Sequence, residues 1–140
     1  MDVDRANADE FIAAVLLGSP VAKACGIELV SRGADRIVLR MPFRPDLVTL
    51  GRIVHGGMIA TLIDIAGAAA SVLKAAPGTS GGATSSLSIS YLAPADGSDL
   101  TAEAVVVQAG KSQVVSDVSV TDAEGRLVAK ALSTNRLFRT

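Results

Sequence analysis

The chain has 140 residues, 49% of them hydrophobic, and its charges nearly cancel, with 13 Lys and Arg against 14 Asp and Glu. This length fits one domain over residues 1–140, and the lack of Trp or of a basic stripe excludes a nucleic-acid partner. A single cysteine, Cys25, cannot form an intramolecular disulfide, and a single histidine, His55, leaves too few ligands for a His and Cys zinc site, so no metal is expected.

Hydrophobic periodicity and turn-forming residues divide the chain into a short helix, two strands, a long helix and four strands. Gly18-Ser19-Pro20 ends the first helix, and Pro77-Gly78 follows the long one. From Thr84 to Tyr91, polar residues alternate with a more apolar set, which is typical of a strand with one apolar face. The predicted ranges are helix 7–17, strands 26–31 and 35–41, loop 42–48, a helix from 56 to about 74, and strands 84–91, 100–108, 112–121 and 126–136.

The long helix is apolar on every side and therefore needs cover all round. Short turns join the last four strands, so we expect them to be antiparallel neighbours. The sequence predicts an α+β fold in which an antiparallel sheet wraps around one long central helix, preceded by a short helical extension over residues 1–18. A second copy of the chain would cover the rest of the helix, and the mean hydropathy of +0.44 agrees with such an interface.

Residues 53–73 are nearly all apolar and long enough to resemble a membrane span. However, Asp64 lies near the middle of this segment, and an acidic residue at the membrane centre costs roughly 2.5–3.5 kcal/mol on insertion scales. A buried helix in a protein that makes no membrane contact is the better interpretation. Acidic residues near the N-terminus oppose a secretory signal, so we expect a cytoplasmic location.

Asp64 is the strongest candidate for a functional group. Its helical neighbours at positions 60, 61, 67 and 68 are Ala, Thr, Gly and Ala, and none of these can neutralise a carboxylate. An unpaired buried carboxylate is costly, which favours a chemical role. The alternative is that Asp64 faces water on the outer side of the helix.

Gly56 and Gly57 lie where the long helix begins. Free backbone N–H groups and the helix dipole favour negative charge there, and glycine lets a ligand carbonyl approach the backbone, as in an oxyanion hole. A tight turn into the helix explains the same two glycines equally well.

The spacing of Gly56 and Asp64 constrains any shared site. They are eight positions apart, which is about 12 Å of rise in one helix, so both cannot touch one carbonyl group. If both act in one site, two helices packed antiparallel about a two-fold axis must bring Gly56 of one subunit to Asp64 of the other. Each dimer then has two equal sites.

The segment His55-Gly56-Gly57, with Leu62 and Asp64 after it, resembles the signature of the PaaI-like hotdog-fold acyl-coenzyme A thioesterases. The resemblance covers about residues 20–138, and the predicted element order agrees with a hotdog fold. It implies hydrolysis of an acyl-coenzyme A to a free acid and coenzyme A. No cofactor is expected, because coenzyme A is part of the substrate. We expect a homodimer that pairs further into a dimer of dimers.

The resemblance also implies residue roles. Asp64 would be the catalytic carboxylate, either as nucleophile or as general base for water, and Gly56 would supply the N–H that polarises the thioester carbonyl. His55 would orient the site near the thioester sulfur, and Thr84 would help to hold the attacking water. The implied coenzyme A contacts are Gly57 and the turn Gly110, Lys111 and Ser112.

Two positions depart from the family pattern. Many relatives carry Asn six residues before the histidine, where this chain has Thr49, and Gly three residues before it, where this chain has Arg52. A Thr hydroxyl can replace one hydrogen bond of Asn but not its planar amide. We therefore include Thr49 among the catalytic positions and expect the leaving thiol to be handled differently.

Two other functions fit parts of the sequence. An acyl-thioester hydratase or dehydratase could use His55 as acid or base, but the proline-rich loop expected around such a histidine is absent. A non-enzymatic acyl-coenzyme A-binding protein would have no need of Asp64. Lys111 also fits a solvated hairpin lysine, and Cys25 fits a buried structural cysteine.

Overall fold

The computed structural model describes Val3 and residues 7–139, and its N-terminal part is helical. The predicted first helix is confirmed in outline, because helix α1 spans Ala8–Phe11 and continues as a π-helical segment over Ile12–Leu16. Residues 1, 2 and 4–6 of the predicted extension lie outside the described residues.

The sequence prediction misses a second short helix, α2, which spans Pro20–Cys25. Ser19 and Pro20 not only end the first helix but also begin the next one. The Ser19 hydroxyl accepts a hydrogen bond from the backbone N–H of Ala22, and proline is compatible with a first helical turn. Gly26, in the left-handed conformation with φ of 70°, ends the helix.

Six antiparallel strands form the main sheet, and two short strands form a separate hairpin. The strands are β1 (Glu28–Arg32), β2 (Arg36–Met41), β3 (Val48–Leu50), β4 (Ile53–Val54), β5 (Thr79–Tyr91), β6 (Leu100–Ala109), β7 (Gln113–Thr121) and β8 (Leu127–Arg139). The order across the main sheet is β1-β2-β6-β7-β8-β5.

The prediction that the last four strands are sequential neighbours is wrong for β5 and β6. Strand β5 pairs with β8 along its length, and β6 pairs with β2 and β7. The segment between β5 and β6 spans residues 92–99, which is long enough to carry the chain across the end of the sheet rather than through a tight turn. As a result, β5 lies at an edge of the sheet.

The long helix α3 spans Gly56–Val72 and packs against β2, β5, β6, β7 and β8. Leu62, Ile63 and Ala66 are fully buried in this core. Gly67 permits a close approach to β8, because a Cβ at this position would lie 2.7 Å from the Cβ of Ser133. Among the described residues, no helix is both long and apolar enough to cross a bilayer.

The segment before α3 contains more structure than the loop predicted over 42–48. A 3₁₀ turn over Pro45–Leu47 leads into the hairpin of β3 and β4. Asp99 fixes the beginning of this segment before α3. Its carboxylate accepts hydrogen bonds from the Phe43 N–H at 2.7 Å and from Arg40 at 2.6 Å. The hydrogen bond from the Phe43 N–H, and to a smaller extent the one from Arg40, lowers the pKa of Asp99. At the other end of the segment, the His55 N–H donates to the Leu47 carbonyl at 2.8 Å, which holds the hairpin beside the start of α3.

Candidate active site

Asp64 lies on the one face of α3 that the sheet does not cover. The residues on this face recur at helical spacing and are half-buried or exposed: Gly57, Ala60, Thr61, Asp64 and Ala68. None of the ion pairs formed by the described residues includes Asp64. The helix is therefore not enclosed on every side within one chain, and Asp64 is a half-buried carboxylate without a cationic partner in the described part of the chain.

Thr84 on β5 donates a hydrogen bond of 2.6 Å from its hydroxyl to Oδ1 of Asp64. A β-bulge at Ser85 makes this contact possible, because the pairing shifts from Thr84 opposite Asn135 to Ser86 opposite Thr134. In a regular strand Thr84 would share a face with Ser86 and Ser88. The bulge instead turns Thr84 toward the helix, on the same side as the partly buried Leu87.

Two polar residues of β8 continue this contact into the core. The Thr84 oxygen also lies 3.3 Å from the side-chain amide of Asn135, which in turn is 3.0 Å from the Ser133 hydroxyl. The amide oxygen of Asn135 faces the Thr84 hydroxyl, and its NH₂ group donates to the hydroxyl of Ser133. Both β8 residues are buried, at 2% and 0% exposure.

Sequence analysis did not identify Ser133 and Asn135 as site residues. The sequence feature that could have identified them is that alternate residues of β8 face the core. Ala129, Ala131 and Leu137 at these inward positions are apolar and buried, whereas Ser133 and Asn135 are polar. Two polar residues at inward positions require partners, because a buried polar group without a hydrogen bond is costly.

The start of α3 presents unpaired backbone donors. His55 is the N-cap residue, and its carbonyl accepts from the N–H groups of Met58 and Ile59. The N–H groups of Gly56 and Gly57 have no acceptor among the described residues, as expected for the first turn of a helix. They are available to polarise a carbonyl oxygen.

Tyr91 closes one side of this helix start. Its hydroxyl donates to the carbonyl oxygen of Gly56 at 2.8 Å, and its ring would lie 3.5 Å from a Cβ at that position. Sequence analysis identified no role for this tyrosine near the helix start. The contact fixes the first peptide of α3 relative to the end of β5.

Thr49 and His55, six positions apart, are brought into contact by the β3–β4 hairpin. The Thr49 hydroxyl lies 2.6 Å from Nδ1 of His55. The imidazole ring lies over Gly57, where a Cβ would come within 3.0 Å of Cδ2 and Nε2. Gly57 therefore provides space for the ring, and the hydrogen bond to Thr49 leaves Nε2 as its free nitrogen.

The structure brings some of the expected site residues together and keeps others apart. Thr49, His55, Gly56 and Gly57 cluster at the start of α3, and Asp64 and Thr84 meet two turns farther along it. The turn Gly110-Lys111-Ser112 is an exposed hairpin tip between β6 and β7, and it forms hydrogen bonds with Gln113, Leu137 and Arg139 rather than with Asp64.

The comparisons with known proteins agree with this fold. A sequence profile described as the thioesterase superfamily matches residues 51–129, which include the helix start, Asp64 and Thr84. Human acyl-coenzyme A thioesterase 13 is 30% identical to the chain over 79% of each protein.

Two solved structures extend the likeness over nearly the whole chain. The Escherichia coli PaaI protein from the phenylacetic acid degradation operon has a TM-score of 0.83 and 26% identity, covering 96% of this chain and 95% of that one. A Streptococcus pneumoniae thioesterase protein with coenzyme A has a TM-score of 0.76 and 25% identity, covering 86% and 93%. The chain therefore belongs to the thioesterase superfamily, with the hotdog fold of its PaaI-like members.

Proposed function

We propose that this protein hydrolyses acyl-coenzyme A thioesters with Asp64 as its catalytic carboxylate. The observation that carries the proposal is the half-buried Asp64, which forms no ion pair with the described residues and is held by the Thr84 hydroxyl at 2.6 Å. Membership of the thioesterase superfamily supports thioester hydrolysis in general. The human acyl-coenzyme A thioesterase and the neighbour solved with coenzyme A support coenzyme A as the thiol part of the substrate.

The chemistry needs a nucleophile and a donor on either side of the thioester carbonyl. In one route Asp64 accepts a proton from a water whose oxygen attacks the carbonyl carbon. In the other, Asp64 attacks directly and water then hydrolyses the resulting anhydride. In both routes the Gly56 N–H stabilises the oxyanion, the carbon–sulfur bond breaks, and the thiolate of coenzyme A takes up a proton.

We infer that the complete site forms between two copies of the chain. Helix α3 is continuous from Gly56 to Val72, so Gly56 and Asp64 of one chain are separated by about 12 Å of helical rise. The uncovered face of α3 and the edge strand β5 are the surfaces that a second copy would cover. An antiparallel arrangement places Gly56 of each subunit near Asp64 of the other.

The remaining residues receive roles by their positions. His55, held by Thr49, presents Nε2 near the leaving sulfur, and Gly57 leaves room for its ring. The exposed turn of Gly110, Lys111 and Ser112 offers backbone donors and a cation to the phosphates of coenzyme A. We propose a cytoplasmic homodimer, which can pair into a dimer of dimers.

A panel of aliphatic and aromatic acyl-coenzyme A esters, assayed for free thiol, tests the proposed function. We expect thiol release from at least one ester and its loss in Asp64→Asn, by about 10²- to 10⁴-fold, while the oligomer keeps its mass. Hydration of an enoyl ester without thiol release would instead indicate a hydratase. Ligand-induced stabilisation without turnover would indicate a binding protein.

A further inference from the structure

A cavity of about 280 Å³ lies beside Asp64, between the N-terminal helical segment, α3 and the first half of β5. Phe11, Val15 and Leu16 form its outer wall. On α3 its wall includes Ala68, which is one helical turn beyond Asp64, and on β5 it includes Thr84. The cavity therefore adjoins the carboxylate at which the proposed reaction takes place.

The wall of this cavity is uncharged. The described lining residues include no Asp, Glu, Lys, Arg or His. The hydroxyls of Ser71 and Thr79 donate to the carbonyl oxygens of Ala68 and Ala76, each at 2.7 Å. Their protons are therefore not available to a ligand. The other polar side chains of the wall, Thr84 and Asn135, donate to Asp64 and Ser133. A charged or hydroxylated group in the cavity would therefore lose its hydration and find few free partners, whereas hydrocarbon has no polar hydration to lose.

The outer wall packs on the core through Ala8 and Ile12, and it is open to solvent on its other side. Ile12 is 2% exposed, and its carbonyl closes the single π-helical turn by accepting from the Leu17 N–H at 2.8 Å. Val15 is 42% exposed and lines the cavity from the same segment. Side-chain size at positions 11, 15 and 16 therefore changes the room inside the cavity from a wall that belongs to neither α3 nor the sheet.

We propose that this cavity binds the acyl group and that the 8–16 segment sets the length of chain it accepts. Pockets for drug-sized ligands have volumes of roughly 300–1,000 Å³, so this cavity is just below that range and fits a hydrocarbon acyl group of short to medium length. Acyl groups with a terminal carboxylate or hydroxyl are disfavoured. The inference rests on the proposed thioester hydrolysis, whose carbonyl would lie at Asp64.

The experiment compares two matched pairs of variants on butanoyl-, octanoyl-, hexadecanoyl- and adipoyl-coenzyme A. Val15→Phe fills the cavity, and Ala13→Phe adds the same side chain at an exposed position that does not line it. Phe11→Ala enlarges the cavity, and Leu17→Ala truncates a partly buried residue outside it. The readout is the ratio of kcat/KM between chain lengths, which a uniform loss of folded protein does not change.

We expect the wild-type protein to prefer octanoyl over both hexadecanoyl and adipoyl esters. Val15→Phe should lower the octanoyl-to-butanoyl ratio by about tenfold, since each methylene excluded from an apolar pocket costs roughly that factor, while Ala13→Phe keeps the ratio. Phe11→Ala should shift the preference to longer chains, and Leu17→Ala should not. Equal ratios within each pair, or a preference for the adipoyl ester, would overturn the inference.

A binding measurement separates this inference from the proposed function. The thioether octyl-coenzyme A lacks the reactive carbonyl, and its affinity is measured by calorimetry with the same variants. Weaker binding in Val15→Phe but not in Ala13→Phe supports the cavity even if no ester in the panel releases thiol, a result that rejects the proposed function alone. Unchanged binding in Val15→Phe rejects the cavity even if hydrolysis is observed.

Discussion

Thr84 and Asp64 are twenty positions apart in the sequence, yet the Thr84 hydroxyl lies 2.6 Å from the Asp64 carboxylate. The contact exists because the bulge at Ser85 turns Thr84 toward α3. Behind it, Asn135 and Ser133 form a buried hydrogen-bonded chain under the helix. The carboxylate is therefore oriented from below by β5 and β8 while its other side stays open to a substrate.

Replacing Thr84 tests whether its hydroxyl positions the carboxylate or the attacking water. We expect Thr84→Val to lower kcat by about ten- to a hundredfold, because a hydrogen bond to a charged group contributes roughly 1.5–3 kcal/mol. Thr84→Ser keeps the hydroxyl and should retain most of the activity. Steady-state kinetics of both variants check this, and a Thr84→Val variant that keeps the wild-type kcat would contradict a role for the hydroxyl.

Substitutions of Thr49 test whether its hydroxyl takes over a role of the asparagine that many relatives carry at this position. Because the Thr49 hydroxyl lies 2.6 Å from Nδ1 of His55, we expect Thr49→Val to release the ring and to lower kcat/KM by about tenfold, as for loss of one hydrogen bond. Thr49→Asn can restore a hydrogen bond and should exceed Thr49→Val in activity. If both variants match the wild-type protein, the contact has no role in turnover.

Much of this architecture could be predicted from local sequence signals. The long apolar helix follows from its composition, and its 17 residues from Gly56 to Val72 agree with the predicted start at Gly56. The spacing of Gly56 and Asp64 depends only on helical rise, so the argument for two cooperating subunits needs no tertiary structure. Strands β6, β7 and β8 follow from the turn residues between them.

Other features depend on tertiary contacts that a local pattern does not encode. The bulge at Ser85 reverses the side on which Thr84 lies, and period-two alternation across 84–91 assigns Thr84 to the wrong face. Pairing of β5 with β8 is set by the crossing segment 92–99 and not by a tight turn. The burial of Asn135 becomes evident only once β8 is placed beneath α3.

A substitution of Gly67 tests whether α3 packs closely on β8. An added Cβ would overlap Ser133, so we expect Gly67→Ala to lower the free energy of unfolding by about 1–3 kcal/mol, as for other overpacked cores. Chemical denaturation provides the measurement. Combining it with Ser133→Ala should give a smaller loss than the sum of the two single changes, because the two side chains compete for one space. A strictly additive result would contradict the close contact.

A charged residue introduced on the uncovered face of α3 tests whether this face forms the proposed dimer interface. Ala60 is half-buried on this face, next to Asp64, and we expect Ala60→Arg to dissociate the wild-type oligomer because it introduces a large charge into the interface. Sedimentation velocity measures the change in mass. Ala13→Arg, at an exposed position on the N-terminal segment, is the control and should leave the mass unchanged. A wild-type protein that sediments as a monomer would contradict the shared site.

The central claim is that each site combines Gly56 of one subunit with Asp64 of the other, and two inactive variants can test it together. Gly56→Pro removes only the N–H, since His55 already has φ of −62° and ψ of 134°, which suits a residue before proline. Gly56→Ala retains the N–H and is its control, because the added Cβ makes only ordinary contact with Tyr91. Asp64→Ala removes the carboxylate.

The most direct measurement is thiol release after Gly56→Pro and Asp64→Ala subunits are unfolded together and refolded as mixed dimers. Each mixed dimer then contains one intact site, so random mixing should restore about a quarter of the wild-type activity, although each variant alone is inactive. Gly56→Ala should remain active by itself. No recovery in mixtures that sedimentation shows to contain mixed dimers would contradict the account, because both groups would then have to act within one chain.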